Sequence, residues 1–212
     1  MCNEDKQFEL EKQLHEQYAI NNNEHMSSLI TLFVSLIAVL GAYGYVFLHS
    51  TIECATNLGT IYLEYEKYTI EALLLTASVC FIVIAVMQHL CIYQGSSQRK
   101  EQFIVYAIRQ KSKMDEIIFP DGYVPYGKKQ RNFVQGIYGE LVKIFGIVQF
   151  ILFITTLWKY LESNIDVRSI TFECLVCFAV CFSLSFFYTK IYKVRKFLEY
   201  KKIEQDYKKN YE

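Results

Sequence analysis

The chain has 212 residues and no net charge, because 22 Lys and Arg balance 22 Asp and Glu. Nine Gly and two Pro are too few for a collagen-like or Pro/Gly-rich low-complexity chain. The balanced charge also excludes a uniformly basic nucleic-acid-binding protein, so we predict no nucleic-acid partner. The distribution of apolar and charged residues along the chain is more informative than the average.

The N-terminal segment, residues 1–25, is acidic, with six acidic and two basic side chains. Leu10, Leu14 and Tyr18 recur at helical spacing, which predicts an amphipathic helix. The Asn triplet at 21–23 is expected to end this helix. Because a signal peptide begins with basic rather than acidic residues, we expect the apolar stretch that follows to be retained.

Four apolar stretches follow, at 26–48, 72–93, 144–158 and 174–189, and the third extends to 141–161 if Lys143 and Lys159 are included. A membrane-spanning helix needs about 20 apolar residues, because the hydrocarbon core is about 30 Å thick. The last two stretches reach that length only if flanking charged side chains extend to the interface. The alternative for these two is a buried helical hairpin of a soluble domain. Their apolar residues lie on every face, which favours membrane spans.

These stretches predict an all-α integral membrane protein with four transmembrane helices and cytoplasmic helices at both ends. The predicted segments are a cytoplasmic amphipathic helix (1–25), a first transmembrane hairpin (26–93), a basic cytoplasmic loop with a helix (94–140), a second transmembrane hairpin (141–189) and a cytoplasmic helical tail (190–212).

With four spans, the connecting segments lie on two sides of the membrane, and Lys and Arg are distributed unequally between those sides. The outer segments, 49–71 and 159–173, hold three of them, which leaves 19 of the 22 on the other side. Under the positive-inside rule, both termini and the central loop are therefore expected to be cytoplasmic. Abundant Lys, Ile, Asn, Tyr and Phe are typical of an AT-rich genome, which favours the bacterial inner membrane.

The central loop, 94–140, is too short to bury a core of its own. Gly95-Ser96-Ser97 is expected to break the preceding helix. The loop then continues as a helix through Phe103 and Met114 and turns at Pro120-Asp121-Gly122. This loop must pack on other cytoplasmic segments, on the membrane surface or on a partner.

The tail, 190–212, has neither Gly nor Pro, which predicts a continuous helix. Its apolar side chains form two stripes, one of Ile191, Val194 and Leu198 and one of Tyr200, Ile203, Tyr207 and Tyr211. Either the acidic N-terminal segment docks on the basic loop and tail, or all three are solvated faces that contact lipid headgroups. The cations expected to bind a cytoplasmic partner or anionic lipid are Arg99, Lys100, Lys128, Lys129, Arg131, Lys193, Arg195 and Lys196.

Small residues on the first and fourth spans predict close helix packing. Ala38 and Ala42 stand four residues apart, and Cys177, Cys181 and Ser185 continue a stripe that begins at Cys174. Cys174 and Cys177 also have the spacing of a metal knuckle. A structural zinc site needs four ligands and no second pair stands nearby, so we predict neither a metal nor another cofactor.

The polar exceptions are Gln88 and His89 near the inner end of the second span, Gln149 in the third, and Glu173 at the outer end of the fourth. A transporter would keep ionisable groups at the centre of its spans, and none is present there. These side chains therefore favour hydrogen bonds between helices over ion conduction.

No phosphate-binding glycine loop and no nucleophile elbow occurs, so we predict a non-enzymatic protein. The first hypothesis is a membrane protein that forms homo-oligomers and recruits or senses a cytoplasmic partner through its basic loop and C-terminal helix. The second is an oligomeric pore or channel lined by polar side chains such as Gln149 or Glu173. The four-span architecture resembles that of small membrane components of bacterial defence systems, a resemblance that no motif carries. This resemblance implies that the protein is a membrane effector or sensor.

Overall fold

Long α-helices make up the structure. The computed structural model describes residues 3–49, 59–112 and 136–211. The helices are α1 (Asn3–His49), α2 (Gly59–Ser112), α3 (Gly136–Glu162), α4 (Ile165–Ile170) and α5 (Phe172–Tyr211). No strand occurs in these three ranges, so the predicted all-α class is confirmed for the part of the chain that they cover.

Four of the helices are long and apolar enough to cross a membrane. The candidate spans are Ser27–Leu48 in α1, Glu64–Lys100 in α2, Ile137–Glu162 in α3 and Phe172–Ile203 in α5. They overlap the four stretches expected from the sequence, which confirms their number and order. At about 1.5 Å per residue, α2 and α5 are both longer than the hydrocarbon core is thick.

Two predicted helix breaks were wrong. α1 continues through the Asn triplet at 21–23, and α2 continues through Gly95. Each Asn lowers the stability of a helix by at most about 0.7 kcal/mol relative to Ala, and no Gly or Pro near the triplet lowers it further. In α2, Gly95 and Ser96 are buried, and the Ser96 hydroxyl donates to the carbonyl oxygen of Tyr93 at 2.8 Å. Packing of this buried turn outweighs the intrinsic cost of one Gly, which is about 1 kcal/mol.

Other local expectations had mixed outcomes. The helix predicted around Phe103 is part of α2, whereas Met114 and the turn at Pro120-Asp121-Gly122 lie outside the described residues. The continuous helix predicted for the tail is confirmed, since α5 extends to Tyr211. The short helix α4 was not predicted. It begins after Asn164, whose side chain accepts a hydrogen bond from the backbone nitrogen of Asp166 at 3.2 Å.

The chain forms two compact units. The apolar unit comprises Ile30–His89 and Val142–Lys190, and the charged unit comprises Met1–Leu29, Leu90–Leu141 and Ile191–Glu212. The chain passes from one unit to the other after residues 29, 89, 141 and 190. The segments predicted from the sequence end close to these positions, at residues 25, 93, 140 and 189. The five segments themselves remain a prediction.

Pairs of contacts within the apolar unit establish the directions of its four long helices. The hydroxyl groups of Tyr43 in α1 and Thr156 in α3 lie 3.0 Å apart, and one turn later Phe47 lies below Lys159, so these helices run the same way. Gln88 of α2 bonds Val142 near the start of α3, whereas Glu66 near the start of α2 accepts from the backbone nitrogen of Asn164 just after α3, so α2 runs the opposite way. Phe81 and then Gln88 of α2 contact Phe178 and then Thr189 of α5, which therefore runs parallel to α2. The arrangement is an up-down-up-down bundle.

Aromatic rings fill the centre between α2, α3 and α5. Phe81 and Phe178 are fully buried, with ring centroids 5.3 Å apart. Phe153 of α3 stacks on Phe178 at 5.4 Å and on Phe182 at 4.2 Å. This cluster and the hydrogen bonds around it hold the polar side chains of the unit in place.

Candidate functional site

Gln88 is a polar side chain of the apolar unit that bonds two other helices. Its Nε2 donates to the carbonyl oxygen of Val142 in α3 at 3.2 Å. Its Oε1 accepts from the Thr189 hydroxyl of α5 at 2.9 Å. Gln88 is 3% exposed, so one largely buried side chain of α2 joins two other helices.

Gln149 and Tyr43 make two further connections between helices. Gln149 is 1% exposed and donates to the Ser185 hydroxyl of α5. The Tyr43 hydroxyl lies 2.9 Å from that of Thr155 and 3.0 Å from that of Thr156. The predicted intramembrane glutamines thus lie inside the protomer and bond across helices, whereas Glu173, at the start of α5, is exposed.

The predicted small-residue positions divide into two groups. Ala38 and Ala42 are both exposed on α1. On α5, Cys177 is exposed, Cys181 is half-buried and Ser185 is buried against Gln149. The α5 stripe is therefore partly used within the protomer, whereas the α1 positions contact little of their own chain.

An apolar cleft opens on the surface of the apolar unit between α2 and α5. Its volume is about 520 Å³, and its lining residues are Ile82, Ala85, Val86, His89, Cys181, Leu184, Ser185 and Tyr188. The Tyr188 hydroxyl lies 2.8 Å from His89 Nδ1, and the two rings stack with centroids 5.8 Å apart. His89 is the last residue that α2 contributes to the lining, and Tyr188 is the last that α5 contributes. Because the two helices are parallel, both rings stand at the same end of the cleft.

In the charged unit, Glu199 gathers three cations. Its Oε2 lies 3.1 Å from Lys100 Nζ and 3.0 Å from Lys196 Nζ, and its Oε1 lies 3.4 Å from Arg195 Nε. Lys196 also stands over the rings of Tyr93 and Tyr192. The carboxylate thus links α2 to α5, and a network of this kind contributes more than an isolated surface ion pair.

The eight cations expected to bind a partner are in different settings. Arg99 is 6% exposed, and Lys100 and Lys196 bond Glu199. Lys193 is half-buried, whereas Arg195 is largely exposed. The remaining three lie outside the described residues: Lys128, Lys129 and Arg131.

An exposed stripe lies beside this ion-pair network. Ile191, Val194 and Leu198 are all exposed and line a shallow groove of about 620 Å³ with Arg195, Glu199 and Lys202. We call these six residues the α5 seam. Because Glu199 is already paired, the charge that the seam presents outward is basic.

Three features of these sites were not predicted from the sequence. Glu199 was not singled out, although its spacing from Arg195 and Lys196 was a usable signal. The pairing of His89 with Tyr188 had no signal in the sequence, because 99 positions separate the two residues. The role of Thr189 as a partner of Gln88 was missed for the same reason.

Within the three described ranges, no group of three His, Cys, Asp or Glu side chains is arranged to bind a metal ion. No family model, no curated protein and no solved structure matches the chain. Its function therefore has to be inferred from its own geometry.

The hydrogen bond between Thr189 and Gln88 can be tested with a matched pair of substitutions. Thr189→Val removes a hydroxyl that bonds another helix, whereas Thr76→Val removes one that bonds only carbonyl oxygens of its own helix. We expect Thr189→Val to lower the unfolding free energy in detergent by about 0.6–1.7 kcal/mol. Thr76→Val should change it by no more than about 0.5 kcal/mol. Equal losses for both variants would contradict a role in joining helices.

Proposed function

We propose that the protein is an integral membrane protein whose four long helices insert as one bundle. This proposal is supported by the distribution of polar and apolar side chains in the apolar unit, which is the reverse of that in a soluble helix bundle. Polar side chains such as Gln88 and Gln149 are inside and hydrogen-bonded. Large apolar side chains are outside, among them Ile147 (60% exposed), Ile154 (53%), Leu184 (65%) and Phe187 (59%).

A soluble protein would not tolerate this surface. The largest apolar patch of a typical soluble monomer covers about 300–600 Å². Exposed apolar side chains occur here on α1, α2, α3 and α5, for example Ile37, Ile82, Ile154 and Leu184. A buried helical hairpin, the alternative considered for the last two spans, would cover those of α3 and α5. Hydrocarbon is the medium in which all four faces are stable.

The proposed orientation has both termini in the cytoplasm of a bacterial cell, in the inner membrane. It rests on the unequal distribution of Lys and Arg, with 19 on the inner side and three on the outer side. The ion-pair network of Glu199 then lies on the cytoplasmic side. In this orientation α5 carries the seam out of the membrane.

The proposed role is non-enzymatic. Protomers self-associate through the exposed Ala38–Ala42 face of α1, and the basic α5 seam binds a cytoplasmic partner. The seam supports this role because it combines exposed apolar side chains with exposed cations, the combination that fits an amphipathic acidic segment of another protein. The pore hypothesis has less support, because Gln149 bonds Ser185 inside the protomer and only Glu173, of the two side chains named for it, is exposed.

Orientation can be tested with single cysteines in a cysteine-free background. Asn164→Cys and Lys202→Cys both place the thiol at an exposed position. In spheroplasts, a membrane-impermeant maleimide is expected to label the cysteine at 164 and to reach the cysteine at 202 only after permeabilisation. The reverse pattern would invert the orientation, and labelling of both in spheroplasts would contradict the four-span insertion.

Self-association can be tested by filling the small-residue face. Joint Ala38→Leu and Ala42→Leu substitution is expected to shift the protein from oligomer to monomer, because the added side chains keep the helix backbones apart. Sedimentation in detergent measures the shift. The matched control is Ala179→Leu, since Ala179 is also exposed but lies on α5. An unchanged oligomer in the double variant, or equal dissociation in the control, would reject this face.

Partner binding can be tested with a photocrosslinking amino acid at Leu198 of the seam. Phe187 is the control position, because its exposure is nearly the same (59% against 60%) and it lies in the apolar unit. In cells, Leu198 is expected to give one protein adduct of defined mass that Phe187 does not give. Arg195→Glu should abolish that adduct by reversing the charge at the rim. Adducts to lipid or to a second copy alone would contradict the proposed partner.

A further inference from the structure

The cleft between α2 and α5 has the composition of a binding site for an amphiphile. Ile82, Val86 and Leu184 form its exposed walls, and Ala85 with Cys181 provides a floor of small side chains. The volume of about 520 Å³ falls within the range of about 300–1,000 Å³ that small-molecule sites occupy. Such sites combine an apolar lining with a few polar groups that orient the ligand.

The polar side chains of the cleft lie towards one end, since Ser185 stands one turn before Tyr188 and its hydroxyl is already bonded to Gln149 and to the carbonyl oxygen of Phe182. His89 and Tyr188 stand there, joined by their hydrogen bond of 2.8 Å. From Ile82 to His89 the helix rises about 10 Å, so the rest of the cleft offers a path of that length with an apolar lining. A ligand would therefore need an apolar chain and a polar head.

The position of the pair along the chain matches a membrane interface. Tyr188 precedes Lys190, the first charged residue after the fourth apolar stretch, by two positions. His89 precedes Tyr93, where the second apolar stretch ends, by four positions. On the proposed insertion, both rings stand at the inner hydrocarbon boundary, where amphipathic aromatic side chains accumulate and where the ester oxygens of glycerophospholipids lie.

We propose that the cleft holds one acyl chain of an inner-leaflet glycerophospholipid, with the ester and phosphate oxygens of that lipid against His89 and Tyr188. This proposal rests on the proposed membrane insertion. A helix from a second copy could also fill the apolar part of the cleft, but its packing would not require a polar pair at one end. The lipid accounts for both features.

The test uses the full-length protein in vesicles of phosphatidylethanolamine and phosphatidylglycerol, with a trace of phosphatidylglycerol that carries a diazirine on one acyl chain. After illumination, mass spectrometry locates the adducts. We expect them to concentrate on Ile82, Val86 and Leu184 over equally exposed apolar residues elsewhere, such as Ile37 and Ile154. Even labelling of all exposed apolar faces in the inserted protein would overturn the proposal.

Substitutions sharpen the result. Ala85→Phe fills the cleft and should reduce labelling there to the level of the other faces, whereas Ala179→Phe, at an exposed position outside the lining, should leave it unchanged. Tyr188→Phe keeps the ring and removes the hydroxyl, which should lower labelling about 2- to 10-fold through loss of one hydrogen bond. Tyr45→Phe, an exposed tyrosine on α1, is its control. Unchanged labelling in both Ala85→Phe and Tyr188→Phe would reject the site.

Two further measurements separate this proposal from the proposals on which it rests. Alkaline carbonate extraction of each variant reports insertion, and a protein that is extracted would contradict the membrane proposal itself. With Leu184→Cys as the only cysteine, oxidation reports whether a second copy lies over the cleft. A disulfide-linked dimer formed in vesicles would overturn the lipid and assign the cleft to a second copy.

Discussion

The buried amide of Gln88 is the contact on which the arrangement of the apolar unit depends. It gives α2 a hydrogen bond to the backbone of α3 and another to Thr189 of α5, so three helices meet at one side chain. In hydrocarbon, apolar surfaces gain nothing by turning away from lipid, and helix association has to rely on packing and on bonds of this kind. The aromatic cluster around Phe182 supplies the packing, and the glutamines fix which faces meet.

On the proposed membrane insertion, the same constraint explains why the two units differ. In the apolar unit the polar side chains are paired inward and the apolar ones face outward, whereas in the charged unit Glu199 pairs with Lys100, Lys196 and Arg195, whose side chains are 17–76% exposed. Ion pairs of that kind are compatible with water and costly in hydrocarbon. A helix such as α5 can carry both kinds of surface, because its apolar first half and its charged second half each suit a different medium.

The sequence was sufficient to predict the four apolar helices and the continuous tail, because the length of an apolar stretch and the absence of Gly and Pro are local properties. The predicted breaks at residues 21–23 and at Gly95 failed, since local propensity amounts to less than the packing of a long helix. The bonds from Gln88 to Thr189 and from His89 to Tyr188 could not be predicted, because each joins residues about 100 positions apart. The sequence identified Gln88 as a polar exception within a span, and only the fold identifies its partners.

The use of α5 within the protomer limits how copies can associate. Ser185 already bonds Gln149, and Cys181 lies in the floor of the cleft, so the stripe of small residues on α5 is partly used within its own chain. Among the small-residue positions predicted to pack, Ala38 and Ala42 on α1 and Cys177 near the start of α5 are exposed, and only the α1 residues form an exposed small-xxx-small pair. A pair of α1 helices related by a twofold axis would use the same face on both copies and close after two protomers. Because that face lies on a different helix from the α2–α5 cleft, self-association and lipid binding do not require the same residues.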